Sequence, residues 1–299
     1  MKRIITLALA VIMILSLSAC SSTKEAKKED NETNIIPEKL VIGVIPTQNQ
    51  GDMQNAMNKL GDHISKEIGT KVDVKVFPDY NGVVEAMNYG KVDLAYFGPL
   101  TYVIANDKSG ADAIITMLVN GEPYYHSYII APNDSKLNNV DDLINNAKDL
   151  HFAFGDVNST SGSLIPGILL KEKGVFKNEQ EHDFKQVTYT GGHDATALAV
   201  QNKKVDAGAI DSAIFESMKK NKVVDEDKFK VIWKSDKLFQ YPWAVKKDTP
   251  KELKEKLQEA FLSITDKEIL DIFGADGFTK AKDSDYEPIR EAAKSEGRI

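Results

Sequence analysis

The chain has 299 residues, with 38 Lys and Arg against 45 Asp and Glu, a formal net charge of −7. This acidic balance argues against nucleic acid as a partner, because phosphate backbones are met with basic surface. A single cysteine excludes a disulfide framework and a thiolate metal cage, while the length suffices for a leader and two lobes of ordinary domain size.

The first elements are signals rather than structure. "MKR" followed by "IITLALAVIMILSL" joins a basic start to an apolar core, and "LSAC" ends it with small residues. That is the pattern of a secretory signal over residues 1–19. "LSAC" also resembles a lipobox, which implies that Cys20 becomes the lipidated first residue of the mature protein; an ordinary signal peptide or an uncleaved anchor is the alternative. Loss of residues 1–19 removes Lys2 and Arg3, leaving 36 basic against 45 acidic residues, a net charge of −9. Residues 21–34 are polar, charged and aperiodic, and the segment 20–37, with Cys20 at its start, is expected to form a flexible tether. No later apolar run is long enough to span a bilayer.

Strands and helices then alternate. "LVIGVI" (40–45) is a continuous apolar run, as expected of a parallel strand covered on both faces. Met53, Met57, Leu60, Ile64 and Ile68 form one apolar stripe of a helix. "KVDVKVF" alternates as a strand, and "NGVVEAMNYG", "VDLAYF", "PLTYVIAND" and "DAIITML" continue as helix, strand, helix, strand. A second series runs from "YHSYIIA" (125–131) to "KVIW" (230–233). "YPWAVKKD" returns as a strand, before helices near 250–265, 266–274 and 285–294. The alternation predicts an α/β fold of doubly wound sheets. Lobe 1 takes residues 38–124 and 235–299, and lobe 2 takes 125–234.

An internal echo supports two related lobes. "DYNGVVEAMNYGKVDLAYFG", from Asp79, and "GHDATALAVQNKKVDAGAID", from Gly192, align on their Lys-Val-Asp triplets at an offset of 113 residues. Tyr80 then matches His193, Ala86 matches Ala199, and Gly98 matches Asp211. Each lobe aims one polar ring, Tyr80 or His193, from a helix start into a cleft beyond the carboxyl ends of the strands.

The densest signal is "FGDVNSTSGSLIP" (154–166), where a strand end runs into Ser159, Thr160 and Ser161 and then into a helix. A helix start leaves about four N–H groups without partners and carries partial positive charge, which suits an anion. The three hydroxyls add donors, and Gly162 admits close approach of the ligand. The alternative is that Ser159 or Thr160 is simply the N-cap. No Lys or Arg lies near this stretch, so neutral donors would carry the binding. At roughly 1.5–3 kcal/mol each, about four to six such bonds reach the approximately −8 kcal/mol of a micromolar complex after ordering losses. Asp211 either accepts from a P–OH group, selecting a protonated oxyanion, or caps the helix of "SAIFESMKKN".

Together, "DYNGVVEAM", "VDLAYFGPLTYV", "FGDVNSTSGSLIPG" and "TGGHDATALAVQNKKVDAGAID" resemble the substrate-binding proteins of phosphate, phosphite and phosphonate ABC importers, the PhnD-like family, over nearly the whole mature body. The resemblance implies a two-lobed type II periplasmic-binding-protein clamp with its ligand in the interlobe cleft. It implies that Ser159, Thr160 and Ser161 cradle a phosphorus oxyanion and that His193 and Tyr80 contact it. The family carries an aromatic pair before Gly98; this chain has Tyr96 and Phe97 there, so the contact falls to Tyr96 or to a backbone group. Members taking 2-aminoethylphosphonate hold its ammonium with two carboxylates, where this chain has Ala213 and Tyr241. An ammonium there would be poorly compensated, so phosphite, phosphate or methylphosphonate is the expected ligand. Tyr241 is best placed to wall its non-oxyanion side.

The resemblance also implies no cofactor and no catalysis. It implies ABC permease subunits as partners, a monomer, and an extracytoplasmic position anchored through Cys20. A hydrolase built on Ser161, His193 and Asp206 is one rival, although no Gly-x-Ser-x-Gly elbow is present. A metal-importer binding protein is the other, although the five histidines show no ligand spacing. His126 is expected near a hinge or the cleft. Tyr124, Tyr125, Trp233 and Trp243 read mostly as packing, and Thr47, Gln48 and Asn49 as a cleft loop or a plain turn.

Overall fold

The computed structural model describes residues 36–299; the leader, Cys20 and all but the end of the tether lie outside the described residues. The chain opens with β1 (Lys39–Val44) and α1 (Gln50–Ile68). The expected stripe of α1 is buried, Asn49 caps its start by accepting from the N–H groups of Gly51 and Asp52, and Gly69 ends it in the left-handed region. Next come β2 (Lys71–Val76), α2 (Tyr80–Asn88), β3 (Leu94–Tyr96), α3 (Pro99–Ser109) and β4 (Asp112–Leu118).

A short strand, β5 (Tyr124–Tyr125), leads into the second series: β6 (Ser127–Pro132), α4 (Val140–Asn145), β7 (His151–Phe154), α5 (Ile165–Glu172), β8 (Phe176–Asn178), β9 (Glu181–His182), β10 (Gln186–Tyr189), α6 (His193–Gln201), β11 (Ala207–Asp211), α7 (Ser212–Lys220) and β12 (Phe229–Lys234). The chain then returns through β13 (Leu238–Phe239), β14 (Pro242–Val245), α8 (Lys251–Leu262), α9 (Lys267–Phe273), β15 (Gly277–Lys280) and α10 (Glu287–Ser295).

Two main sheets result, ordered β15-β4-β14-β3-β1-β2 and β10-β7-β11-β6-β12. In the first, β1 pairs in parallel with β2 and β3, and the returning strand β14 runs antiparallel between β3 and β4. In the second, β7 pairs in parallel with β10 and β11, while β6 is antiparallel to β11 and β12. Both faces of the second sheet are covered, because neighbouring strand residues point to opposite sides. Ile129, Phe152 and Phe154 enter one core; Ile130, Ala153 and Ile210 enter the other.

Several strands were not expected. The four residues of β15 carry little apolar pattern, with Phe278 alone fully buried; their strand character comes from antiparallel pairing with β4. The β5–β13 and β8–β9 pairs are similarly short and set by partners distant or folded back. The β5–β13 pair also ties together the two segments that cross between the sheets. His126 adds to that tie: its Nδ1 lies 2.8 Å from the Ser235 carbonyl, and Ser127 N–H donates to Ser235 Oγ at 2.9 Å.

The internal echo has a structural counterpart. Asp93 Oδ2 accepts from Val41 N–H and Asp206 Oδ2 from His151 N–H, both at 2.8 Å. In each half the triplet's aspartate thus secures the first turn of chain into a neighbouring parallel strand. Lys91 N–H to the Ala86 carbonyl (2.7 Å) and Lys204 N–H to the Ala199 carbonyl (2.8 Å) complete the match.

Candidate functional site

The three consecutive hydroxyls are all buried, and they do three different things. Ser159 is the N-cap of a π-helical turn, Thr160–Leu164, and its Oγ accepts from Gly162 N–H at 3.0 Å. Thr160 Oγ1 accepts from Leu100 N–H of α3 at 2.8 Å, so a hydroxyl beside the second sheet meets a helix start from the first. Ser161 Oγ has no hydrogen-bond partner, although the Ser161 carbonyl is held by Ser127 Oγ at 2.6 Å. Ser159 and Thr160 each accept one bond and keep a proton to donate.

The packing of the loop itself leaves no room for a side chain at Gly162. A Cβ there would meet Ser159 Oγ at 2.9 Å, Gly155 Cα at 3.2 Å and His193 Cε1 at 3.3 Å. The glycine is therefore required by the loop's own packing, with Gly155 N–H donating to the Gly162 carbonyl at 2.8 Å.

Around Ser161 the structure gathers further buried polar atoms without partners: Tyr80 Oη, Tyr125 Oη and Asp211 Oδ2. The Tyr80 hydroxyl lies beside Ser159, and that of Tyr125 beside Ser161 and Thr160, without completing hydrogen bonds. Burial, reinforced by nearby aspartates, pushes both phenols well above their ordinary range; they stay protonated and each keeps a proton to donate. Tyr125 sits on a crossover segment and its role was not read from the sequence. Only the doubled aromatic "YY" at a predicted crossover hinted at it.

Asp211 takes the capping role and keeps one oxygen free of it. Its Oδ1 caps α7 by accepting from Ile214 N–H at 2.9 Å, while Oδ2 is left over. Burial raises its carboxyl to about 7, opposed by the Ile214 and Ala213 N–H groups and the adjacent Tyr241 hydroxyl. An uncompensated buried carboxylate is costly, and the charge of this one bears on the buried phenols of Tyr80, Tyr96, Tyr125 and Tyr241.

His193 has both ring nitrogens occupied. Nδ1 accepts from Asp211 N–H at 3.4 Å, which leaves the proton on Nε2, 3.2 Å from Tyr241 Oη. Burial holds its pKa near 3, so the ring is neutral. It acts on the cluster through Tyr241 and Asp211. Its backbone N–H donates to the Thr47 carbonyl at 3.1 Å, another link between the two sheets. Of that first loop, Thr47 alone makes this link; Gln48 Nε2 donates to the Ile272 carbonyl and Asn49 caps α1.

Tyr96 is fully buried in an aromatic stack with Tyr241 at 5.6 Å, Trp243 at 5.1 Å and Phe273 at 5.0 Å. Phe97 lies wholly in the core. Ala213 and Tyr125 also line a groove of about 530 Å³. The rival triad is not assembled: Asp206 precedes β11, whose five residues place it roughly 16 Å from Asp211, and its carboxylate serves His151 N–H. Among the described residues, no group of three or more His, Cys, Asp or Glu is placed to hold a metal.

The sequence shows no cation near the cradle, but the fold supplies one at its edge. Arg298 Nη2 donates to the Val157 carbonyl at 2.9 Å and to Asn158 Oδ1 at 2.8 Å.

Comparisons with known proteins show the family of the chain. A family model described as the periplasmic substrate-binding protein of a phosphonate ABC transporter matches residues 42–286. The phosphonates-binding periplasmic protein of Escherichia coli is 32% identical over 298 residues, spanning 98% of this chain and 85% of that one. The phosphate-import protein PhnD of Mycolicibacterium smegmatis is 33% identical over 262 residues, spanning 84% and 79%. Among solved structures, PhnD1 of Prochlorococcus marinus in complex with methylphosphonate is similar with a TM-score of 0.78 at 27% identity, covering 88% of this chain and 100% of that one.

Proposed function

The chain belongs to the periplasmic phosphonate-binding proteins of ABC transporters, and from that membership we propose that it captures a small phosphorus oxyanion without an amine: phosphite, phosphate or methylphosphonate. Its fold is the type II periplasmic-binding-protein clamp, and the family consists of solute-binding proteins that work outside the cytoplasm, not of enzymes. The two sheets serve as lobes, 38–124 with 235–299 and 125–234, that close on the ligand.

One observation carries the reading. Ser161 Oγ, Tyr80 Oη, Tyr125 Oη and Asp211 Oδ2 are buried together without partners, and buried polar groups are otherwise nearly always paired. Three donors and one carboxylate complement an oxyanion that bears a hydroxyl: its charged oxygens accept from the phenols and serine, and its P–OH donates to Asp211. Ser159 and Thr160 add their remaining protons, while His193 and the Tyr96–Tyr241 stack position the wall opposite. A fully ionised ligand facing an ionised Asp211 would be repelled, so the pair shares one proton and affinity falls as pH rises above about 7. At the positions where the family resemblance places the ammonium-binding carboxylates stand the methyl of Ala213 and the phenol of Tyr241, which leave a ligand ammonium without a charged partner there.

Titration calorimetry of the full chain in mild detergent tests this. At least one of phosphite, phosphate and methylphosphonate should bind in the micromolar range or tighter, and 2-aminoethylphosphonate more weakly than methylphosphonate. Ser161→Ala should weaken binding about thirtyfold, near 2 kcal/mol for a bond to a charged group, without lowering the melting temperature, since that hydroxyl supports nothing in the fold. Equal affinity in the variant would remove Ser161 from the site. Delivery to permease subunits as a monomer tethered through lipidated Cys20 completes the proposal; intact mass of the membrane-extracted protein reads the lipid directly.

A further inference from the structure

The cradle is gripped from outside on both of its flanks. Before it, Val157 and Asn158 receive the two hydrogen bonds of Arg298. After it, Lys171 of α5, the helix that continues from the cradle, forms an ion pair with Glu296. Both gripping side chains belong to the short arm beyond α10, an element packed against the first sheet's α3. The arm is directed rather than loose. Gly297 turns at φ 63°, Gly297 N–H donates to the Lys294 carbonyl at 3.0 Å, and Arg298 N–H donates to the Ala293 carbonyl at 2.8 Å, a helix ending that sets the arm's course. The Glu296–Lys171 pair is partly shielded, with side-chain exposures of 19% and 36%.

The segment gripped by Arg298 also reaches the other side of the site. Asp156 Oδ1 accepts from Asn158 N–H at 2.7 Å, and the same carboxylate faces the N–H of Tyr80, whose hydroxyl is one of the unpartnered donors. A single guanidinium therefore fixes the turn that sets both Ser159–Ser161 and the start of α2.

We propose that Arg298, assisted by Glu296, is a positioning residue for oxyanion binding: the C-terminal arm of the first lobe clamps both flanks of the second lobe's hydroxyl cradle in the closed arrangement. Proteins of this architecture bind by hinge closure. A contact that exists only between closed lobes adds to affinity by enlarging the competent population, and its loss appears as faster release. The clamp explains how a cradle with no neighbouring cation in sequence gains one without placing it on the ligand. The inference rests on the reading that the cradle binds a phosphorus oxyanion.

The test uses the full chain, with calorimetry and stopped-flow release of whichever of phosphite, phosphate and methylphosphonate the unaltered chain binds. Arg298→Ala should raise Kd about tenfold, carried by the dissociation rate, as expected for loss of hydrogen bonds from a charged group. Arg298→Lys should fall between the two, and Glu296→Gln should cost about threefold, with the double swap Lys171→Glu/Glu296→Lys recovering most of that loss. The melting temperature of the ligand-free chain should stay within about 2 °C in all of them, which separates positioning from support of the fold. Unchanged affinity in Arg298→Ala, or a loss of affinity that tracks a fall in ligand-free stability, overturns the clamp while leaving the oxyanion reading intact. Failure of the unaltered chain to bind any of the three anions removes both.

Discussion

The two echoing halves are built alike and finished differently. Each has a helix that begins with a polar ring, an aspartate that secures a parallel strand, and a second helix just beyond the strand end. The difference lies in the caps. In the first half, Asp79 caps α2 by accepting from Gly82 N–H at 2.7 Å, and Gly98 begins α3 with no side chain to offer. In the second half the order is reversed: Gly192 begins α6 without a side-chain cap, and Asp211 caps α7. Each half thus carries one carboxylate cap, but Asp79 is exposed and Asp211 is buried at the site. A shared scaffold has been made asymmetric at its caps, one carboxylate exposed and the other buried. Leu100 N–H, without a cap of its own, is served instead by Thr160 from across the cleft.

The largest test of that asymmetry removes the charge and keeps the cap. Burial lifts Asp211 from its ordinary 3.8 to about 7, so the folded chain favours the neutral acid. Ligand-free stability is then full below pH 4, falls as pH rises to about 7, and is level beyond, a loss on the order of 4 kcal/mol. Asp211→Asn retains an oxygen for Ile214 N–H and should abolish this slope, melting above the unaltered chain at pH 8. An identical slope in thermal melts from pH 4 to pH 8 would contradict the assignment.

Making the halves alike is the second test. Gly98→Asp places a carboxylate where the echo has Asp211, and should cost at least about a hundredfold in oxyanion affinity through like-charge repulsion. Gly98→Ala, whose Cβ would meet nothing closer than Tyr241 Cε1 at 3.5 Å, should bind within about threefold of the unaltered chain. Comparable binding by the two variants would separate Gly98 from the site.

The smallest effect compares the strand-securing aspartates. Asp93→Ala loses the bond to Val41 N–H and the 2.6 Å contact with Lys246, and should cost about 2 kcal/mol. Asp206→Ala loses only the bond to His151 N–H, in a more exposed setting, and should cost about 1 kcal/mol. Denaturant midpoints would rank them; the reverse order would show that the echo is one of sequence rather than of structural duty.

Local patterns were the readable part. The stripe of α1, the apolar run of β1 and the hydroxyl row each occupy a single stretch whose periodicity or cap chemistry is visible without neighbours. Asp211 was legible as a helix cap, and the structure spends one of its oxygens on that duty and leaves the other unpartnered. By contrast, Tyr125 looked like packing because its hydroxyl becomes a donor only once the crossover lies beside Ser161. The four residues of β15 carried no strand signal because β4 supplies their order.

Composition, periodicity and short motifs thus settle the class of fold, the alternation of elements and the presence of a hydroxyl-rich helix start, since these depend on residues a few positions apart. Which oxygen of Asp211 is spare, which hydroxyl meets Leu100 and which cation reaches the turn before the cradle depend on groups up to 141 positions distant in the chain. Those pairings exist only when two lobes and a terminal arm are brought to within hydrogen-bonding reach, and no local rule encodes that distance.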